Sequence, residues 1–364
     1  MKQAKDLLIV FNIFGDHINE QFQIENYLTS LATIQAQIDA TPEYSFRVVV
    51  SACMVSDKCV DAIKNFNDKI SIFRYSERYT CQVTFNKTVL KSIECFNEEY
   101  EGYLYFSSGV FFNHKIPPKW NDMFVHQFPA SRFAGVSDSA FILKNLVKKL
   151  HTKKYGIIQL QVNDDHGYHF LGYGSTAWKT KINLKCDYVI PPGNHANFHV
   201  AAVHKSMKDF YDKPVSDIHG FCGMESTLSY CCAAIKKQYL LLGDSCLVHL
   251  QKLDNDFSSP GRMKNTFNGP PIGASDNPCR DLFWGRKKSD ISQDREAIES
   301  GLGYYPGLAA CNELDWNGVH LIHDINKYDN NCLALDQNLK NVVKRLFFTN
   351  NNDIVYKDIG CEII

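Results

Sequence analysis

No stretch of this 364-residue chain stays apolar for the roughly 18 to 20 residues that a membrane-spanning helix needs. The opening Met1-Lys2-Gln3-Ala4-Lys5-Asp6 has no cleavable signal pattern and runs straight into an apolar segment. Together these predict a soluble, cytoplasmic protein, acting in host cytoplasm if the chain is viral; its liberal use of Asn, Lys, Ile and Phe suits an AT-rich genome. Long basic runs are also missing and the net charge is −1, which argues against a nucleic-acid binder. The 13 cysteines are odd in number and never spaced C-x-x-C, so neither a disulfide framework nor a zinc ribbon is supported. Internal repeats and low-complexity tracts are absent. A cysteine- or histidine-dependent hydrolase is disfavoured too, because no paired nucleophile and base motif stands out.

What the chain does have is a series of short apolar runs bounded by polar turns. Leu7-Leu8-Ile9-Val10-Phe11, Phe46-Arg47-Val48-Val49-Val50 and Ile70-Ser71-Ile72-Phe73 read as strands. Between Val83 and Phe96, Val89, Ile93 and Phe96 fall at i, i+4, i+7, a helical stripe widened by Leu90. A fourth run, Tyr103-Leu104-Tyr105-Phe106, stops abruptly at Ser107-Ser108-Gly109. Strands alternating with helices predict a parallel α/β sheet, and ligands of such sheets gather beyond the carboxyl ends of the strands.

In this order the chain resembles the nucleotide-sugar-dependent glycosyltransferases of GT-A fold, especially the family-2-like enzymes. The likeness lies at Phe11-Asn12, at Val50-Ser51-Ala52 with Ser56-Asp57, and at Thr84-Phe85-Asn86-Lys87 ahead of the Tyr103 strand. It continues at Gly220-Phe221-Cys222-Gly223-Met224-Glu225, similar to the family's base-bearing segment, and at Leu247-Val248-His249-Leu250, similar to its late metal-binding histidine. The resemblance spans about residues 5 to 250. It implies a nucleotide-sugar donor, with UDP as the expected nucleotide, a glycan acceptor and a divalent cation, Mn²⁺ or Mg²⁺, held by His249. The implied donor pocket is Phe11, Asn12, Ser51, Asp57, Asn86, Lys87, Ser107, Ser108 and Gly109. The family's Asp-x-Asp is replaced here by Ser107-Ser108-Gly109, which has no carboxylate for a hard cation. Without the cation, the diphosphate would fall to cations such as Lys87, Arg74 and Arg78, or to backbone N–H groups.

The second half offers the acceptor side. Ile158-Gln159-Leu160-Gln161-Val162 alternates as a half-buried strand would, and the turn after it holds Asp164 and Asp165. These two, with His195 from the cluster His195, His199 and His204, are the acceptor candidates, although an Asn/Asp/Gly turn also needs such residues for its geometry. Asp138 is a further lone carboxylate. Leu228, Cys231, Cys232 and Ile235 predict a helix that places Glu225 at its N-terminus, where the dipole favours the carboxylate; Gly223 admits a ligand close to the backbone. Glu225 is then either a helix-capping group or, as the resemblance implies, the general base of an inverting transfer.

The expected fold is α/β: a Rossmann-like donor half over 1–113, an acceptor and catalytic half of the same GT-A domain over 114–251, and a C-terminal loop and helical extension over 252–364, with Arg262 and Lys264 in a lid. The expected activity is glycosyl transfer to a carbohydrate hydroxyl. The alternative is a degenerate GT-A domain that binds nucleotide-sugar or glycan without turnover.

Overall fold

The computed structural model describes residues 3–15, 20–77, 79, 81–115, 136–163, 185–190, 199–211, 214, 232, 235–249 and 359–364. The three expected leading strands form as β1 (Gln3–Phe14), β2 (Phe46–Cys53) and β3 (Ser71–Tyr75), and the Tyr103 run as β4 (Glu98–Ser107). Helices α1 (Glu20–Asp39), α2 (Asp57–Phe66) and α3 (Cys81–Phe96) connect them. After β5 (Val110–Phe111) come α4 (Ile142–His151), β6 (Tyr155–Gln159), β7 (Val162–Asn163), β8 (Tyr188–Ile190), β9 (Val200–His204), α5 (Lys205–Tyr211), β10 (Gln238–Leu241), β11 (Leu247–His249) and β12 (Glu362–Ile363).

Among the described residues, nine strands form one mixed sheet in the order β12-β3-β2-β1-β4-β9-β6-β10-β8, and β5-β11-β7 form a small second sheet. The run β3-β2-β1-β4 is parallel, as the strand and helix alternation predicts, and β9 reverses direction between β4 and β6. The α/β class is therefore present, with a parallel half and a mixed half in a single sheet.

Side-chain alternation divides the sheet's two faces. Leu7, Ile9, Phe11 and Ile13 join a buried cluster with Ile24, Tyr27 and Leu31 of α1, Ile63 of α2 and Leu146 and Leu150 of α4. Leu8, Val10 and Asn12 point the other way. There Tyr105, in register with Val10, stacks edge-on against Phe85 of α3 at 5.4 Å. Tyr75 is tied to the same helix by its hydroxyl, 2.7 Å from Thr88 Oγ1.

Two features depart from the sequence expectation. The strand read as half-buried is β6, all five of whose residues are buried: β9 and β10 flank it, Gln159 accepts the Tyr239 hydroxyl, and Gln161 Nε2, just beyond the strand, donates to Leu242 O at 2.8 Å. Its glutamines are interior hydrogen-bonding groups, so polarity at alternate positions did not mean solvent. The second feature is β12, which pairs antiparallel with β3, so that Glu362–Ile363 form the edge strand beyond the parallel half of the sheet.

Candidate functional site

The carboxyl ends of β2, β1 and β4 bring three predicted donor residues side by side. Asn12 is in register with Ser51 on one flank and with Ser107 on the other, and so all three lie on the α3 face of the sheet. Asn12 and Ser51 are each only 1% exposed. Asn12 Nδ2 donates to Val10 O at 3.0 Å and weakly to Phe106 O at 3.4 Å, whereas Asn12 Oδ1 and Ser51 Oγ are buried with no hydrogen-bond partner among the described residues. Buried oxygens of this kind cost stability unless something bonds to them.

Beyond Ser107 the chain turns sharply. Ser108 N donates to Asn12 O at 3.0 Å, and Gly109 takes φ 79°, a left-handed conformation natural to glycine. The turn delivers Val110 to β5, where β11 sets His249 opposite Val110. On the other side, β9 runs back along β4, and His199 O accepts the Ser107 N–H at 2.9 Å. Two histidine positions thus flank the Ser-Ser-Gly turn. The His199 imidazole is pushed down to about 4 by desolvation and is neutral near pH 7. His199 entered the sequence analysis only as part of a cluster. Its place opposite Ser107 depends on the antiparallel pairing of β9 with β4, which no local signal announces.

The other donor candidates distribute around this edge. Phe11 lies on the opposite face, fully buried, with its ring edge-on to Tyr27 and Phe106 at 6.1 and 6.0 Å; it is a core residue and is not brought to Asn12. Asp57 opens α2 behind its N-cap Ser56, whose hydroxyl accepts Cys59 N and donates to Glu20 at the start of α1. The exposed Asp57 carboxylate pairs with Arg74 at 2.6 Å, and Arg74 also donates to Val55 O, so this guanidinium is already engaged by protein groups. Asn86 and Lys87 are buried in α3, and the Lys87 charge acts on Glu94 and on Cys361 beside β12. Asp138 accepts from Asn113 Nδ2. Glu225, Gly223, Asp164, Asp165, His195, Arg78, Arg262 and Lys264 lie outside the described residues.

A divalent cation does not fit the donor set visible at the turn. Ser107, Ser108 and Gly109 offer hydroxyl and carbonyl oxygens without the carboxylate that Mg²⁺ or Mn²⁺ favours. Among the described residues no group of three or more His, Cys, Asp or Glu side chains is gathered as a metal would require. For an anionic ligand the edge is better equipped. In strand-helix-strand units the helix N-termini lie at the carboxyl ends of the strands, so α1, α2 and α3 direct their positive dipole ends here.

No protein-family model matches the chain, and no curated protein matches it. Among solved structures it is similar to the mannosyltransferase PcManGT from Pyrobaculum calidifontis in complex with GDP-Man and Mn²⁺, at 11% identity and TM-score 0.42 over 96% of this chain and 90% of that one. It is also similar to GalNAc-T7 with UDP, GalNAc and Mn²⁺, at 12% identity and TM-score 0.47 over 81% of this chain and 51% of that one. The chain spans about half the length of the second.

Proposed function

We propose that this chain is a GT-A glycosyltransferase that takes a sugar from a nucleotide-sugar, a UDP-sugar as the first choice, and transfers it to a carbohydrate hydroxyl. The observation that carries the reading is the register-matched row Ser51, Asn12 and Ser107 at the carboxyl edge, with two buried oxygens unbonded and a left-handed glycine turn beside it. Unbonded acceptors beneath a parallel-sheet edge suit the donor N–H groups of a nucleobase, and helix N-termini at the same edge suit its diphosphate.

In this reading Glu225 acts as the general base. It accepts the acceptor hydroxyl's proton as that oxygen attacks the anomeric carbon; the bond from this carbon to the phosphate oxygen breaks, and the nucleoside diphosphate leaves with the electron pair. Configuration inverts. A positioned base contributes about 10²- to 10⁴-fold, so Glu225→Gln should lower transfer by that factor while leaving nucleotide affinity unchanged. Asp164, Asp165, His195 and Gly223 are the proposed acceptor contacts. No step is routed through a metal, because the turn lacks the carboxylate that would hold one.

Calorimetric titration with UDP, GDP and CMP, each with and without Mn²⁺, tests the reading. Selective UDP binding supports it; absence of binding for all three nucleotides in both conditions overturns it. The carboxylate-free turn also favours a second reading, a domain that binds nucleotide-sugar without turnover. Nucleotide binding with no transfer to any glycan acceptor, and no change on Glu225→Gln, would identify that case.

A further inference from the structure

The sheet edge opposite the candidate site carries a concentration of lysines that the proposed transfer does not use. Lys153-Lys154 leads into β6 and Lys236-Lys237 into the adjacent, parallel β10, with Gln238 in register with Tyr155. The two pairs are directly joined: Gln238 N donates to Lys154 O at 3.1 Å and Lys237 Nζ donates to Lys153 O. Lys148, in the last turn of α4, and Lys208, on α5 as it leaves β9, stand at the same end. Nearby carboxylates are already taken, Asp187 by Lys149, Glu101 by Lys205 and His204, and Asp6 by His151. None of the six lysines Lys148, Lys153, Lys154, Lys208, Lys236 and Lys237 has an ion-pair partner among the described residues. Burial pushes the Lys237 ammonium down, Cys232 and Glu101 partly offset this, and Lys153 adds a smaller push down.

A cluster of six lysines without ion-pair partners among the described residues, beside carboxylates already paired to other groups, is a local feature in a chain of net charge −1 and not a consequence of composition. Lys148 and its neighbour at the end of α4 also complement the helix dipole, but Lys153, Lys154, Lys236 and Lys237 lie outside any helix. Lys153 and Lys236 even hold left-handed backbone, at φ 57° each, where asparagine or glycine is the cheaper residue. A second, independent feature lies on the same helix. Phe141, 48% exposed, heads α4 on the stripe that continues to Lys148 at i+7, while Lys144 at i+3 lies over the ring at 5.6 Å and pairs with Glu43, which also feels Lys148. Lysines carrying compact, hydrated charges, with an exposed aromatic on the same outward stripe, suit diffuse attraction to anionic headgroups with shallow insertion of a ring. Sequence-reading nucleic-acid sites rely instead on arginine forks, and single-strand sites on rows of stacking aromatics, neither of which this edge offers.

We propose that this edge and the outer stripe of α4 form a docking surface for an anionic lipid bilayer. The test is vesicle co-flotation of the full chain with phosphatidylcholine vesicles, and with vesicles containing about one-third phosphatidylserine, at low and high salt. Binding to the anionic vesicles alone, lost at high salt, is expected. The variant Lys148→Glu, Lys153→Asn, Lys154→Glu, Lys236→Asn should lose at least about tenfold in partitioning; the asparagines suit the left-handed positions and preserve folding, checked by thermal melting. Phe141→Ser should weaken binding several-fold with an unchanged salt slope, whereas Lys58→Glu with Lys69→Glu, at exposed sites elsewhere, should leave it intact. Equal binding to neutral vesicles, no binding to either, an unaffected lysine variant, or capture only by heparin or RNA would each overturn the proposal. None of these readouts depends on nucleotide binding.

Discussion

Asn12 and Ser51 sit where a fold-stabilising residue would be apolar, since each buries an oxygen that nothing among the described residues bonds. Removing an unbonded buried hydroxyl is nearly neutral or stabilising, by up to about 1 kcal/mol. Ser51→Ala should therefore leave denaturant stability unchanged or raised while lowering nucleotide affinity about tenfold, measured by calorimetry. A fall in stability with unchanged affinity would assign Ser51 to packing alone. His204 provides a second residue-scale prediction. Its Nδ1 accepts Ser206 N–H at 3.1 Å, so Nε2 carries the proton and faces Glu101 at 3.2 Å. Burial, then Lys237, push it down to about 4, from an ordinary 6.5. The unfolded chain thus binds the proton more readily than the folded one, and stability should fall as pH drops from about 6.5 toward 4, at most about 1.4 kcal/mol per pH unit for this group. Glu101, pushed up by burial but drawn down net by Lys205 and His204, adds to the loss only below its ordinary 4.5. His204→Gln should flatten the decline above pH 4.5 in a pH series of urea melts; His199, depressed alike, retains its own share. Asn12 and Ser51 entered as candidates through the family resemblance, and the parallel pairing of β1 and β2 puts them side by side. His199 was not legible in the sequence, because its significance depends on which strand it lies against.

At the scale of elements, α4 shows how the two halves are joined. Its N-terminus has no side-chain cap of its own. Gln37 of α1, fully buried, supplies one across the interface, its Oε1 accepting Ile142 N at 3.0 Å and Leu143 N at 3.3 Å while its Nε2 donates to Ser139 O at 2.7 Å. Gln37→Met keeps the volume and removes all three bonds, and should cost about 1 to 3 kcal/mol in a denaturant titration. A loss below a few tenths would mean that the helix end is satisfied otherwise. The contact also fixes the approach of α4 to the sheet, where a Cβ on Gly102 would stand 2.3 Å from Leu150 Cδ2. The parallel strands and α3 were readable because apolar runs and helical periods are local signals. A glutamine at a helix surface reads as solvent-facing, and nothing local reveals that another helix terminus needs it. The lysine pairs ahead of β6 and β10 are equally unremarkable one at a time; only the adjacency of those strands adds them together.

For the whole molecule, the decisive arrangement is a single sheet in which β4 and β9 join the halves and β12 closes the far side. Ile364 exchanges both backbone bonds with Ile72, at 3.0 and 2.9 Å, and Ile359 is buried. Deleting residues 359–364 should leave β3 with an unpaired edge and raise concentration-dependent aggregation, followed by light scattering, while far-ultraviolet dichroism changes little. Unchanged solubility would mean that the edge is protected by another route. Two exposed residues in β12 give no sequence pattern to read, so the return of the chain to β3 has no local signal.

That return has a consequence for the order in which the molecule is made. Strands β1 to β4 leave the ribosome early and carry nearly everything needed to pair with one another. The strand that covers β3 lies far downstream of all four and leaves the ribosome after them. Until it arrives the β3 edge stays open, and closing it takes a contact of very long sequence separation, the kind that slows folding and invites chaperones.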